Sequence, residues 1–287
     1  VQVNPIVDPI IRPAGPPDRD VIRSLINNHE FYHHHLDWLS PVEWLEEQPY
    51  LILQSEVTDD AALACPPSPP GIGWIRLFVT TRHVALNEAW NTLLHHTLLR
   101  SKNSGLELLC SLGITSWFRE LLENSGFNSH QSVVGLSIRV TDTVSVQSSD
   151  QVIIREANES DIPRITALDE RAFDRMWQLP LFLMEKAFQQ AGCITVATTG
   201  EEIIGYQLST ISPLSAHLAR LAVEPRMQNR QVGRKLITEL FHRCKQKGIE
   251  EITVNTQSDN QSSLALYKRM GFELSGERYP VYTLHLP

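Results

Sequence analysis

Residues 221–236 read Leu-Ala-Val-Glu-Pro-Arg-Met-Gln-Asn-Arg-Gln-Val-Gly-Arg-Lys-Leu. The stretch changes period in its middle. As far as Val223 it has strand character, and Pro225, which has no N–H to give a ladder, ends the strand. From Val232 onward the apolar residues Val232, Leu236, Leu240 and Cys244 recur at helical spacing. Between them lies a polar loop, with Gly233 just inside the helix. A strand that enters a helix through such a loop aims the first backbone N–H groups at one point, with the positive end of the helix dipole behind them. That is the geometry of a pyrophosphate site. Arg226, Arg230, Arg234 and Lys235 make the spot basic. A plain strand–loop–helix with a solvated basic face would read the same way, and this segment alone does not choose between the two.

A second segment bears on the choice. Residues 255–272 hold Asn260, Ser263, Tyr267 and then Gly271-Phe272. A helix opening at Asn260 puts Ser263 and Tyr267 on one face, a turn apart. Taken alone, such a tyrosine serves packing more often than chemistry. Taken together, in this order and spacing, the two segments resemble the GNAT superfamily of N-acetyltransferases. The family's phosphate loop, Gln/Arg-x-x-Gly-x-Gly/Ala, corresponds to Gln228-Asn229-Arg230-Gln231-Val232-Gly233. Its later signature, Asn-x-x-Ala-x-x-x-Tyr followed by Gly-Phe, corresponds to Asn260 through Tyr267 and then Gly271-Phe272.

The resemblance covers 152–287 and implies an acetyl-CoA site. Leu221, Ala222 and Val223 form its strand wall, with the backbone of Leu221 and Val223 pairing with the pantetheine arm. Gln228, Asn229, Arg230, Gln231, Val232, Gly233 and Arg234 form the phosphate loop, the N–H groups from Asn229 to Arg234 meeting the pyrophosphate. Asn260 helps fix the cofactor near the thioester, Ser263 is a further cofactor contact, and Tyr267 is the general acid toward the leaving thiolate. A phenol with pKa near 10 is protonated at neutral pH and can give that proton. Two departures stand out. Gln231 replaces the first loop glycine, and its Cβ restricts φ. Ribosomal-protein alanine acetyltransferases place a glutamate base where this chain has Asn255, and an amide cannot take a proton. Glu224 and His217 are the alternatives, and the sequence leaves both open.

Outward from this core, the second half reads β-α-α-β-β-β-α-β-α-β. Strands are expected over 152–155, 193–198, 203–211, 217–223, 251–254 and 279–286. Helices are expected from an N-cap at Ser160 and over 181–190, 232–247 and 262–270. The first half repeats the rhythm: strands over 50–54, 61–65, 74–80, 106–110 and 132–140, and helices over 86–100 and 117–124. Gly126-Phe127 answers Gly271-Phe272. Counting back from it, Leu122 stands for Tyr267 and Thr115 for Asn260, and the loop counterpart near 85–91 has no Gly and carries Glu88. The polar stretch 141–150 is read as the boundary. The fold class is thus α/β with a mixed sheet, two GNAT-like domains in tandem: 1–147 without a cofactor site and 148–287 with one.

Composition narrows the partners. The chain has 287 residues, 42% hydrophobic and 20% charged, enough to bury two cores. A net charge of −8 argues against a nucleic-acid surface, which needs clustered Lys and Arg. No apolar run is long enough for a membrane helix. Val1 to Pro5 shows no basic-then-apolar leader, and the four separated cysteines fit a reducing compartment, so a cytoplasmic location is expected. His33-His34-His35 and His95-His96, read on helices, point apart, and no metal is expected. The substrate is read as a primary amine, either a small molecule or a peptide N-terminus. The rival is a non-catalytic CoA-binding sensor or interaction module on the same fold. The oligomeric state is left open, with tandem domains standing in for a dimer.

Overall fold

The computed structural model describes residues 10–55, 58–140 and 152–286. The stretch 141–150 that the sequence marks as a boundary lies outside them. The chain divides into two compact units: residues 1–130 with 280–287, and residues 131–279. This differs from a single cut at 147/148. Residues 131–140 go with the second unit and the final eight with the first.

The first unit contains β1 (Ile10–Pro13), α1 (Arg19–Asn27), β2 (Phe31–His34), β3 (Tyr50–Gln54), β4 (Asp59–Ala64), β5 (Ile72–Trp74), β6 (Leu77–Thr80), α2 (Leu86–Ser104), β7 (Leu108–Leu112) and α3 (Ser116–Asn124). Strands β3, β4 and β6 are buried almost throughout, so they read as apolar runs without alternation. Helices α2 and α3 pack over them. Trp90 meets Phe78 edge-on at 5.0 Å and Phe118 at 5.6 Å, which fixes both helices on the strands.

Three expectations change here. The strand expected over 74–80 is broken at Ile75 and Arg76. Trp74 is the last parallel partner of β7, and the chain then steps across to pair with β4, Ile75 N–H still bonding Cys110 and Arg76 N–H already bonding Ala64. Phe31–His34 is a strand that sequence reading missed, being short and histidine-rich. His33 and His34 therefore sit on a strand, not a helix.

The second unit contains most of β8 (Asn128–Arg139), then β9 (Ile153–Glu156), α4 (Ile162–Ala172), α5 (Leu181–Gln190), β10 (Cys193–Thr199), β11 (Glu202–Ile211), β12 (Ser215–Val223), α6 (Val232–Gln246), β13 (Glu251–Gln257), α7 (Gln261–Arg269) and the first part of β14 (Glu273–His285). Their order in the sheet is β9-β10-β11-β12-β13-β8, antiparallel except for the β12–β13 pair. The order from β9 to β14 is the one read from sequence. Ser160 is not the cap: Asn158 accepts its N–H at 3.0 Å, and the helix opens at Ile162. Residues 281–285, at the end of β14, pair with β7 and complete the first unit. All four cysteines are buried free thiols. Among the described residues no helix is long and apolar enough to cross a membrane.

Candidate active site

The site grows from a split between two strands. β12 and β13 run parallel from Ser215↔Glu251 to Leu218↔Val254, and the register ends there. β12 continues to Val223 held by β11 alone, after a bulge between Leu218 and Arg220. The bond from Glu224 N–H to the Ile204 carbonyl fixes the alternation along the β11–β12 ladder. Arg220 and Ala222 thus spend their backbone groups on β11, while Leu221 and Val223 turn theirs to the open side. Of the three wall residues named from sequence, two offer an edge to an added strand. Ala222 does not.

At the end of this edge the loop makes two left-handed turns, Asn229 with φ 61° and Gln231 with φ 63°. Gln231 is the N-cap position of α6, and its side chain does not cap. The first intrahelical bond runs from Lys235 N–H to Gln231 O at 3.0 Å. The N–H groups of Val232, Gly233 and Arg234 precede it and have no helical acceptor. Gly233 also packs closely: a Cβ there would stand 3.0 Å from Cδ2 of Leu266 on α7 and 3.7 Å from Val223. Arg230 and Arg234 are exposed at the helix mouth. Gln228 instead folds back, its Nε2 donating to Val223 O at 3.3 Å, so the Val223 carbonyl on the open edge already has one partner while its N–H stays turned to the open side.

A left-handed glutamine costs on the order of 1 kcal/mol, and such strain is retained where a site requires the conformation. Gln231→Gly is expected to leave the affinity for acetyl-CoA unchanged or to raise it, with little change in melting temperature. Calorimetry on the variant reads this, and a clear loss of affinity would make the Gln231 side chain itself a contact.

On the other wall, Asn260 caps α7, its Oδ1 accepting the Ser263 N–H at 3.1 Å and the Ser262 hydroxyl at 3.0 Å. Its acceptor therefore serves the helix, and Nδ2 is the group left for other partners beyond a long 3.5 Å contact with Gln257. Tyr267 is 4% exposed and packs on Phe272, ring centroids 5.5 Å apart. Burial pushes its phenol above the usual value, so it keeps its proton. The two candidate bases differ in their surroundings. Glu224 is buried and gripped by Arg171 at 2.8 and 3.1 Å. His217 bonds Thr253 Oγ1 through Nδ1 at 2.8 Å, and burial lowers its pKa, leaving it neutral and able to accept a proton. Asn255 is exposed and directly follows the last parallel pair.

The first unit repeats this plan with the gap filled. β5 leaves β7 after Trp74↔Cys110, and β6 pairs with β4 on one side, as β12 does with β11. On the other side, left open along Leu221 and Val223 in the second unit, lies β2, paired Phe31↔Thr80 to His34↔Leu77. His33 stacks on Phe118 of α3 at 3.9 Å and reaches Ser111 of β7 at 3.4 Å, which bridges the split. Burial and His34 push His33 down to about 3, so it is neutral filling. Thr115 stands at the N-cap position of α3 but makes no side-chain capping bond, unlike Asn260 on α7, and Leu122 is fully buried at the tyrosine position.

The family model described as Acetyltransferase (GNAT) family matches residues 162–272. That segment is a GNAT acetyltransferase domain. The N-alpha-acetyltransferase RimI of Mycobacterium tuberculosis is 29% identical over 140 residues, 47% of this chain and 86% of that protein. An uncharacterized protein of Mycobacterium leprae is 28% identical over 157 residues, 52% of this chain but 43% of its own length, so the chain spans less than half of that relative. Among solved structures, a tandem GNAT protein from the clavulanic acid biosynthesis pathway superposes with a TM-score of 0.66 at 13% identity, covering 98% of this chain and 99% of that one. At that identity the likeness is one of fold, and it extends the GNAT architecture over the whole chain.

Proposed function

We propose that the second unit of this GNAT protein transfers the acetyl group of acetyl-CoA to a primary amine, either of a small molecule or of a peptide N-terminus. One observation carries the reading: the open backbone edge of Leu221 and Val223 leads directly to the uncapped mouth of α6. Edge and mouth fit, in that order, a ligand with an amide-bearing arm and a pyrophosphate. Bound there, acetyl-CoA supplies the activated acetyl group. The N–H groups of Val232, Gly233 and Arg234, with Arg230 and Arg234 beside them, hold the pyrophosphate. Tyr267 holds a proton at its hydroxyl for the departing sulfur. His217, neutral, is the better placed of the two bases to take a proton from the amine, because Glu224 is committed to Arg171. The N-alpha-acetyltransferase relative favours the peptide arm; Asn255, in place of a glutamate, favours a different acceptor.

Calorimetry with acetyl-CoA and a thiol-release assay against amines and N-terminal peptides, both on the full chain, test the reading. Binding with turnover of at least one acceptor is expected. No heat and no thermal shift at millimolar cofactor would sink the site. Binding without turnover across the panel would leave the CoA-binding sensor in its place.

A further inference from the structure

The loop between α4 and α5, residues 173–180, is held by a buried ion pair where apolar packing would be the ordinary means. Asp169 of α4 is fully buried. Arg220 of β12 meets it with Nε on Oδ1 and Nη2 on Oδ2, both at 2.8 Å. Tyr206 of β11 donates its hydroxyl to Oδ1, and Leu179 donates its N–H to Oδ2 at 2.9 Å. The same Arg220 Nη2 takes the Trp177 carbonyl at 2.8 Å, and the guanidinium lies over the Phe173 ring at 4.2 Å. Three points along one loop thus converge on one carboxylate–guanidinium pair.

Such a pair is a poor way to gain stability, since apolar residues of the same volume often do as well or better. What it adds is direction. Its hydrogen bonds fix particular backbone atoms of the loop, at Trp177 and Leu179, in a way apolar contact does not. The strand that supplies Arg220 is also the one whose next residue, Leu221, turns its backbone to the open edge. The loop's Met176 accepts a bond from Gln131 Nε2 at 3.7 Å, on the strand that borders β13.

We propose that Asp169, Arg220 and Tyr206 are positioning residues that set the 173–180 loop relative to the open edge of β12, and that through it they align the acceptor amine. This rests on the acetyltransfer reading above. None of the three touches the reacting atoms. Misplacement of reacting groups by about 1 Å costs roughly a hundredfold in rate, so the expected effect is large and falls on one substrate.

Steady-state kinetics and amide hydrogen exchange on the full chain carrying Asp169→Asn, Arg220→Lys or Tyr206→Phe test it. For the first two, kcat/KM for the acceptor is expected to fall by about tenfold to a hundredfold, with the acetyl-CoA affinity within about twofold of the parent. Exchange at 173–180 is expected to quicken while that of α6 and β13 does not. Tyr206→Phe, which removes one hydroxyl from an intact pair, is expected to show the same pattern more weakly. It decides the matter if the charge variants fail to fold. Acceptor kinetics unchanged in folded variants, or equal losses for acceptor and acetyl-CoA, would overturn the proposal. If the parent turns over no amine, the acetyltransfer reading fails, and unchanged exchange at 173–180 would then overturn the clamp on its own.

Discussion

Tyr267→Phe is expected to lower turnover by about a hundredfold or more while leaving acetyl-CoA affinity within about twofold. The substitution deletes one oxygen and keeps the ring. The contact of residue 267 with Phe272 in the core of the second unit is retained, so folding is not the variable. The hydroxyl matters only as negative charge gathers on the departing sulfur, and an interaction made chiefly in the transition state appears in kcat. Burial strengthens the argument, because a phenol held above its usual pKa keeps its proton at neutral and mildly alkaline pH, where part of the amine is already neutral. Single-turnover rates with a saturating acceptor give the measurement directly. A turnover number equal to the parent's would remove Tyr267 from the reaction and leave it as a core residue.

Titration of the full chain with acetyl-CoA is expected to give one site, in the second unit. In the first unit the corresponding strand edge is already paired: β2 lies along β6, and His33 closes the distance to β7. A ligand entering there would have to displace four residues of strand, of which Phe31 meets Trp117 edge-on and His33 stacks on Phe118. The junction before α2 has no left-handed residue among the described ones, and Glu88 puts a carboxylate in the first turn of that helix, where an anion would have to sit. Leu122 offers no proton. A stoichiometry near two, or a crystal with ordered CoA between β6 and β7, would refute the reading.

How much of this was legible in the sequence depended on how local each feature is. The strand–loop–helix at 221–236 and the Asn260–Tyr267 helix came through because their signals are contiguous: a change of period, a proline, a cap. Gln231 was flagged as a departure, and the structure gives the departure a physical form, φ 63° on a residue with a Cβ. The plug in the first unit was missed because its partners, residues 31–34 and 77–80, are far apart in sequence and the strand is four residues long. The Asp169–Arg220 pair was missed for the same reason, although a signal existed. Arg220 stands in Leu218-Ala219-Arg220-Leu221-Ala222-Val223, and a charge inside an apolar strand calls for a buried partner. For the division of the chain, composition points to the polar stretch 141–150, while strand pairing carries residues on both sides of it into the second unit.

The return of residues 280–287 to the first unit has a consequence for synthesis. β7 has β5 on one side, and on the other the antiparallel partner 281–285. Translation delivers that partner only after all of 131–279 has been made. At ribosomal speeds the delay is roughly ten to thirty seconds. Through that interval the nascent first unit carries a bare strand edge, open to mispairing with any extended chain nearby. Its completion therefore waits on residues 281–285 and cannot proceed in order along the chain. A chain that stops just ahead of residue 280 would keep residues 131–279 and injure the unit that is made before them.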